Sequence, residues 1–344
     1  MREITPETAT DYLRETGRVP EGREVTAQAL GGGVSNVVMR VDVEGQAPFV
    51  LKQARERLRT EAYWVGRLDR IWTEKAALEW LATLLPIGTV PEVLFADPEN
   101  FLLAMTCAPP DATAWKGRLL AGEADPAVAR RAGEVLGAIH AETSGHPDLK
   151  GHWADLVVFD QLRIDPFYRT IARVHPDVSP QVEALLARMR DMPRACLVLA
   201  DFSPKNILVH ARGLTVVDFE TAHAGDPAFD LGFFLSHLLL KAVRARPDHE
   251  PYLALTRSFQ DAYLGRFDAG EEDIAFGRRV NAHAAACALA RVDGTSPVDY
   301  LDPRARETVR RFARTALQVG PPTWDALLGL LAREMRYKDH QISG

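Results

Sequence analysis

The segment LVLADFSPKNILVHARGLTVVDFE, at residues 197–220, constrains this chain more than any other part of it. It places three polar side chains, Asp201, Asn206 and Asp218, next to short apolar runs. A single Asp in such a place most often caps a turn. Three metal-competent or basic side chains at this spacing form a more specific signal, which turn chemistry alone rarely supplies.

The sequence between Asn206 and Asp218 predicts a hairpin. Ile207 to His210 and Leu214 to Val217 are strand-like, with residues 211–213 as the turn. If His210 pairs with Leu214, the ladder places Asn206 opposite Asp218, with Cβ atoms roughly 4.5 to 5.5 Å apart. We therefore expect one divalent cation to contact both side chains.

The order Asp, Asn, Asp is the order that a phosphoryl-transfer enzyme requires. The spacing from Asp201 to Asn206 is that of a kinase catalytic loop. In that loop the Asp accepts the substrate proton and the Asn holds a magnesium ion. The segment thus predicts a phosphoryl-transfer site.

Composition limits the class of protein. The chain has 344 residues, 47% of them hydrophobic, which is enough for two lobes that each have a core. The net charge of -6 argues against a nucleic-acid partner, because binding to backbone phosphates needs a concentrated basic surface. The three cysteines are far apart and odd in number, which predicts neither a disulfide framework nor a zinc site.

The distribution of apolar residues predicts a cytoplasmic protein without a membrane span. The first 17 residues are charged and polar, unlike a secretory signal. The most apolar stretch, Leu231 to Ala242, is too short to cross a bilayer and is expected to be a buried helix.

The first third of the chain has the pattern of an antiparallel sheet. Val25 to Ala54 reads as strand, glycine loop, strand, turn and strand, with period-two alternation from Val37 onward. A helix is expected at Trp72 to Leu84, and a further strand pair on either side of the turn at Asp97 to Asn100.

The rest of the chain is mostly helical by its periodicity. One helix is expected to start near Pro126. Further helices are predicted at Pro180 to Arg190, Phe229 to Ala242, Pro251 to Leu264, Gly277 to Arg291, Pro303 to Val319 and Pro322 to Tyr337. We expect an α+β architecture: a small β lobe, residues 1–104, and a larger helical lobe, residues 105–344, joined near Met105 to Ala108.

The sequence LGGGVSN is a weak phosphate-loop signal by itself. Gly31 and Gly33 occupy two positions of a GxGxxG pattern, Asn36 stands where the third glycine would fall, and Ser35 adds a small polar residue. A strand follows rather than a helix, and no Gly-Lys-Ser/Thr is present, which argues against Rossmann and Walker A loops. A loop whose amides approach phosphates and a tight hairpin without a ligand are equally good readings.

Lys52 favours the phosphate-binding reading. It stands in an apolar strand, where a buried ammonium without a partner would be costly. Glu74, from the following helix, is the first choice for its partner, with Glu79 second. The alternative is an edge strand from which Lys52 points to solvent.

These residues together resemble the aminoglycoside phosphotransferases and their relatives, including methylthioribose kinase and choline kinase. These proteins share the bilobal protein-kinase-like fold. The resemblance covers roughly Val25 to Leu317 and implies a kinase that uses ATP and Mg²⁺ to phosphorylate a small-molecule hydroxyl. It also implies roles for individual residues: Asp201 as catalytic base, Asn206 and Asp218 as metal ligands, Lys52 and Glu74 on the ATP phosphates, the Met105 to Cys107 backbone against adenine, and Asp230 as a structural brace.

Two positions depart from the family pattern. The family commonly has His-Gly-Asp at the catalytic loop, where this chain has Leu199 and Ala200 before Asp201. In addition, Glu220 replaces the glycine of the protein-kinase Asp-Phe-Gly and is more similar to the Asp-x-Glu of methylthioribose kinase, so it is expected either to reach a metal or to solvate the loop. A pseudokinase that binds nucleotide without transferring phosphate stays open as the alternative.

The acceptor is not fixed by the sequence. A sugar, an aminoglycoside or an amino alcohol, bound by a monomer or a homodimer, is compatible with the family. Arg291, Asp293 and Tyr300 are candidates for the acceptor site, although an ordinary helix end with an Asp-Gly turn explains that segment equally well.

Overall fold

The computed structural model describes residues 1–31, 36–57, 65–190, 195–268, 270 and 273–336. Ten strands lie in this part of the chain: β1 Val25–Ala29, β2 Asn36–Val43, β3 Phe49–Ala54, β4 Val93–Asp97, β5 Leu102–Thr106, β6 Thr113–Ala114, β7 Cys196–Val198, β8 Ile207–His210, β9 Gly213–Val216 and β10 His223–Gly225. They form three antiparallel sheets, with the orders β1-β2-β3-β5-β4, β6-β8-β9 and β10-β7.

The helices dominate the second part of the chain, as predicted. Those described are α1 Pro6–Glu15, α2 Arg70–Leu84, α3 Trp115–Leu120, α4 Pro126–Thr143, α5 Val157–Phe159, α6 Thr170–Val174, α7 Ser179–Arg190, α8 Pro227–Arg244, α9 Glu250–Leu264, α10 Asp273–Asp293, α11 Pro303–Val319 and α12 Trp324–Arg336. Two short 3₁₀ turns, Pro147–Leu149 and Gly151–Ala154, and a π-helical stretch, Asp160–Arg169, connect them. The α+β prediction is confirmed.

The five-stranded sheet has helices on both faces. Alternate residues of β2, including Val37, Met39 and Val41, are buried against α1 in a small core. The opposite face belongs to the main core and meets α2. Because residues of β3 alternate between the two faces, Lys52 lies on the α2 side together with Ala54.

Close helix packing forms the larger core. Helix α8 is buried from Pro227 to Val243 and packs on α9 and α10. A Cβ atom at Gly133 of α4 would lie only 2.2 Å from the carbonyl oxygen of Phe259 in α9. The absence of that atom lets the two backbones touch, which fixes α4 and α9 as one unit beside the functional loop.

The predicted register of the β8–β9 hairpin is wrong by one residue. His210 pairs with Gly213, so the turn has two residues rather than three. Continuing the ladder puts Val217 opposite Asn206, and the Val217 amide donates to the Asn206 carbonyl oxygen at 3.0 Å. Asp218 lies one position further along, at a φ of 74°. This left-handed conformation interrupts the strand alternation and returns its carboxylate toward Asn206.

Most predicted elements are found with small shifts at their ends. The pattern analysis missed α1, α3, the β7–β10 pair and the π-helical stretch. These are short or polar segments whose placement depends on tertiary contacts. β5 is the last strand of the five-stranded sheet along the chain. It runs to Thr106, two residues beyond the lobe boundary expected at 104/105.

Candidate active site

The Asp201 carboxylate lies at the centre of a polar cluster. It follows β7, is 7% exposed, and receives three donors. Arg163 Nη2 lies 2.8 Å from Oδ1, while Lys205 Nζ and Asn206 Nδ2 lie 3.0 and 2.9 Å from Oδ2. A carboxylate held in this way is oriented to accept a hydrogen bond from a hydroxyl.

Asp230, in the first turn of α8, fixes the backbone before Asp201. Its two oxygens accept the amides of Leu199 and Ala200 at 2.6 and 2.7 Å. Ala200 has a φ of 59°, a conformation that costs an L-residue roughly 1–2 kcal/mol and persists only when the surroundings enforce it. Asp230 supplies that enforcement, so it is a brace, as expected.

The brace continues into the helical core. His140 Nε2 lies 3.2 Å from the Asp230 carboxylate, and its Nδ1 lies 2.9 Å from the Tyr263 hydroxyl. All three side chains are buried. The strained loop is therefore held by α4, α8 and α9 together, without the histidine that the family commonly places where Leu199 stands.

Asp218 and Asn206 meet across the end of the hairpin. Asn206 Nδ2 lies 3.5 Å from Asp218 Oδ2 and donates to Asp201 as well. The structure therefore brings the predicted catalytic and metal residues together, despite the different register.

Lys52 joins the two lobes. Its ammonium lies 2.6 Å from Glu74 Oε2 and 2.7 Å from Asp218 Oδ1, and its side chain is buried. Glu74 is thus the partner, whereas Glu79 pairs with Lys75 on the surface of α2. β3 is an interior strand of its sheet, which excludes the alternative in which Lys52 points to solvent from an edge strand.

The charges of this cluster shift one another. Burial alone would lower the pKa of Lys52, but Asp218 and Glu74 hold it above its usual value. Burial raises the pKa of Glu74 to about 7, against the opposing effect of Lys52. The pKa of Asp218 stays below its usual range because, despite burial, Lys52 and Lys205 stabilise its anion. The two carboxylates share one ammonium, and their pKa values move apart: Asp218 stays ionised, whereas Glu74 retains its proton more readily.

Glu220 bridges the lobes at a second point. Its Oε2 accepts Asn36 Nδ2 at 2.7 Å and Arg70 Nε at 3.0 Å. Arg70 is fully buried at the start of α2 and also donates to the Arg55 carbonyl oxygen at 2.8 Å. The residue that departs from the Asp-Phe-Gly pattern is therefore buried, not solvating the loop, and it connects β2 and α2 to the segment between β9 and β10.

The donor set fits a divalent cation. Carboxylate oxygens of Glu74, Asp218 and Glu220 lie within 4.8 Å of one another, and the Asn206 amide adjoins them. Hard oxygen ligands are those that Mg²⁺ and Ca²⁺ take in proteins. The group is buried or half-buried, as a site shielded from bulk water requires.

Some predicted nucleotide residues lie at the edge of this cluster. Gly31 ends the described part of the first strand connection, and Asn36 opens β2; Gly33 and Ser35 lie outside the described residues. Met105 is buried in β5, and Cys107 follows that strand, half-buried.

The predicted acceptor residues occupy different surroundings. Arg291 is largely buried and lies close enough to Asp201 for the two charges to interact. Asp293 binds Arg310 through both oxygens at 2.7 Å and His175 at 2.8 Å. These contacts engage the Asp293 carboxylate in tying α10 to α11.

Sequence reasoning missed Arg163 and Arg70. Arg163 lies on the π-helical stretch and donates to the Ala200 carbonyl oxygen at 2.6 Å in addition to its pair with Asp201. The available signal was an arginine next to apolar residues: Arg163 stands between Leu162 and Ile164, and Arg70 precedes Ile71. Such a residue needs a buried acceptor, but the sequence does not say which.

Comparison with known proteins identifies the family to which this chain belongs. The model of the phosphotransferase enzyme family matches residues 26–272. The chain belongs to the phosphotransferase enzyme family. It is 29% identical over 277 residues to a methylthioribose kinase of Exiguobacterium sibiricum. The alignment covers 72% of this chain and 68% of that relative.

Solved structures of other small-molecule kinases share the fold. A choline/ethanolamine kinase family protein from Mesorhizobium loti superposes with a TM-score of 0.56 at 15% identity, covering 96% of this chain and 99% of the other. An amicoumacin kinase in complex with AMP-PNP and Ca²⁺ has a TM-score of 0.56 at 14% identity, covering 91% and 94%.

Family membership makes the chain a small-molecule kinase, as the sequence analysis predicted. The family implies a nucleoside triphosphate and a divalent metal as cofactors. No helix in the described ranges is both long and apolar enough to cross a membrane.

Proposed function

We propose that this phosphotransferase transfers the γ-phosphate of ATP to a hydroxyl of a small polar acceptor. The observation that carries the proposal is the meeting of Asp201, Asn206 and Asp218 with Lys52 from the other lobe. A base, two metal-competent side chains and a phosphate-binding ammonium are the parts that this reaction requires.

In the proposed reaction Asp201 accepts the proton of the acceptor hydroxyl. The acceptor oxygen forms a bond to the γ-phosphorus, the bond to the β,γ-bridging oxygen breaks, and ADP leaves. Arg163, through its pair with Asp201, sets the direction from which the hydroxyl approaches. Positioning and charge neutralisation supply most of the rate enhancement.

The nucleotide is held by residues from both lobes. Asn206 and Asp218, with Glu220 in reach, would hold Mg²⁺, which neutralises charge on the phosphates when it is bound. Lys52 contacts the phosphates while Glu74 keeps it in place. The Met105 to Cys107 backbone and the loop from Gly31 to Asn36 complete the nucleotide side, and the lobes divide near residues 104 and 105.

The test compares Asp201→Asn with Asp177→Asn, a surface variant whose parent residue pairs with Arg314. The wild type is screened by a coupled ADP assay against sugars, methylthioribose, aminoglycosides, amino alcohols and hydroxy acids. We expect Asp201→Asn to lose at least about a thousandfold in turnover while its Mg²⁺-ATP affinity changes less than threefold. Equal turnover in this variant would rule out the assignment.

The alternative is a pseudokinase that binds nucleotide without transferring phosphate. It predicts a thermal shift with Mg²⁺-ATP and no ADP release with any acceptor. The intact charge constellation around Asp201 favours the enzyme, because a protein that only binds nucleotide has no use for an oriented base beside Asn206.

A further inference from the structure

An unneutralised group of cations lies beside the Asp201 loop in the helical lobe. It consists of Lys116 on α3, Lys241 on α8 and Arg291 on α10, and we call it the cation cluster. Lys116 and Lys241 place their ammonium groups 5.8 and 5.4 Å from the centre of the Tyr300 ring. Three helices distant in sequence thus direct positive charge to one place.

The cation cluster adjoins the catalytic loop. The Lys116 amide donates to the Pro204 carbonyl oxygen, between Asp201 and Asn206, at 2.8 Å. Arg291 and Arg163 each lie 5.9 Å from the Phe167 ring, and Arg163 itself pairs with Asp201. The cluster therefore adjoins Asp201 through the catalytic loop and through Arg163.

Lys241 is the most informative member, because it is 2% exposed. Its only hydrogen bond in the described structure goes to the His237 carbonyl oxygen at 3.2 Å. Burial, followed by Lys116 and Arg291, lowers its pKa to about 7. A lysine buried without a counter-ion is costly, which makes Lys241 a candidate member of a functional site.

Arg291 Nη1 donates to the carbonyl and hydroxyl oxygens of Ser296 at 2.5 and 3.2 Å, but two other polar atoms of this region lack partners. Within the described ranges, neither Arg291 Nε nor the Tyr300 hydroxyl, both buried, has a hydrogen-bond partner. Among the described residues, no carboxylate forms an ion pair with Lys116, Lys241 or Arg291. Two acidic groups interact with this region through space: Asp201 acts on Arg291, and the exposed Asp299 acts on Tyr300.

We propose that the acceptor carries an anionic group, a carboxylate or a phosphate monoester, that binds the cation cluster while its hydroxyl meets Asp201. The inference rests on the proposed function and narrows its substrate class. The anion supplies the negative counter-charge for Lys241. Its oxygens also accept hydrogen bonds from Arg291 and Tyr300. A cationic acceptor such as an aminoglycoside or an amino alcohol meets like charge at the same place.

The experiment measures binding by calorimetry, with and without saturating Mg²⁺-AMP-PNP. Two matched sets of probes are used: glycerol, glycerate, glycerol 3-phosphate and 3-amino-1,2-propanediol, and glucose, gluconate, glucose 6-phosphate and glucosamine. In at least one set, we expect the carboxylate or the phosphate member to bind at least tenfold more tightly than the neutral and cationic members. Which of the two anions binds better identifies the source of the charge.

The variants Lys241→Met and Lys116→Met assign this preference to the cluster. Methionine keeps most of the lysine volume and removes a buried charge, so Lys241→Met is expected to melt at the same or a higher temperature. Lys116 is half-buried and gives an independent second variant. In each variant the preference for the anion should fall below threefold, with AMP-PNP affinity unchanged within twofold. Lys150→Met, at an exposed position, is the matched control.

The outcomes separate the two proposals. Failure of AMP-PNP to bind contradicts the proposed function, whereas the titrations without nucleotide still report on the cluster. Equal or tighter binding of the neutral or cationic members overturns the anionic acceptor. The same conclusion follows if the preference survives in both lysine variants, or if they weaken AMP-PNP instead of the probes, since the cations then serve the nucleotide phosphates.

Discussion

The ammonium of Lys52 lies 2.6 Å from the carboxylate of Glu74, which a different element supplies. The pair is buried between β3 and α2, and Asp218 from the helical lobe completes it at 2.7 Å from the same ammonium. The position of the phosphate-binding lysine is therefore determined by both lobes at once.

Replacing Glu74 should disturb this arrangement, whereas replacing Glu79 on the same helix should not. Glu74→Gln leaves Lys52 held by Asp218 alone, so we expect at least a tenfold rise in KM for ATP, while the change in the free energy of unfolding follows the protonation of Glu74. Glu79→Gln removes an exposed pair with Lys75 and should cost about 0.5 kcal/mol or less. Urea unfolding and ATP kinetics measure both, and equal effects would contradict the assignment.

The raised pKa of Glu74 predicts a pH dependence of stability. Its folded-state pKa, about 7, lies above its usual value, so the folded protein binds the extra proton. The contribution of this group is fully present below about pH 4.5 and is lost as pH rises to about 7, by at most about 3 kcal/mol. Unfolding titrations between pH 5 and 8 should show this decline in the wild type and not in Glu74→Gln. A decline of the same size in that variant would assign it to another group.

Mg²⁺-ATP should reverse the decline. A divalent cation beside Glu74, Asp218 and Glu220 favours the ionised carboxylates. We therefore expect the stabilisation by saturating Mg²⁺-ATP to be larger at pH 7.5 than at pH 5.5, measured as a shift of the melting temperature. A stabilisation independent of pH would indicate that the metal does not reach this group.

Arg163 should affect turnover more than nucleotide binding. It orients Asp201 and, among the residues that the structure describes, forms no hydrogen bond or ion pair with a residue assigned to ATP. Arg163→Met is expected to lower kcat by about a hundredfold with KM for ATP changed less than threefold. Arg169→Met, in the same π-helical stretch but in a surface pair with Asp160, serves as the control. A selective rise in KM for ATP would place Arg163 on the nucleotide side instead.

Ala200 tests the strained backbone before Asp201. Glycine relieves the left-handed conformation, but it loses a buried methyl group and gains freedom in the unfolded chain. We expect Ala200→Gly to lie between no change and a gain of about 1 kcal/mol in the free energy of unfolding. Ala138→Gly, at an ordinary helical position of α4, should lose about 1 kcal/mol. Equal losses at both positions would show that the strain is not stored at Ala200.

The amino-acid sequence by itself determined the local framework of this protein. The alternation from Val37 to Val43 defined β2, and the prolines and apolar stripes defined most of the long helices, because these patterns depend only on which face of an element is buried. The spacing of Asp201, Asn206 and Asp218 indicated the chemistry for a similar reason, since these residues belong to one short segment that contains the β8–β9 hairpin.

Only the tertiary structure decided how the site is supported and which charges remain unneutralised. The approach of the Asp218 carboxylate to Asn206 depended on a left-handed backbone at Asp218, which no periodicity reveals. Arg163, Asp230 and the cation cluster lie on helices far apart in sequence, and their meeting follows from helix packing. Charge interactions fall off over a few ångströms, so the identity of a charged residue predicts its need for a partner, and the fold alone determines which partner it finds.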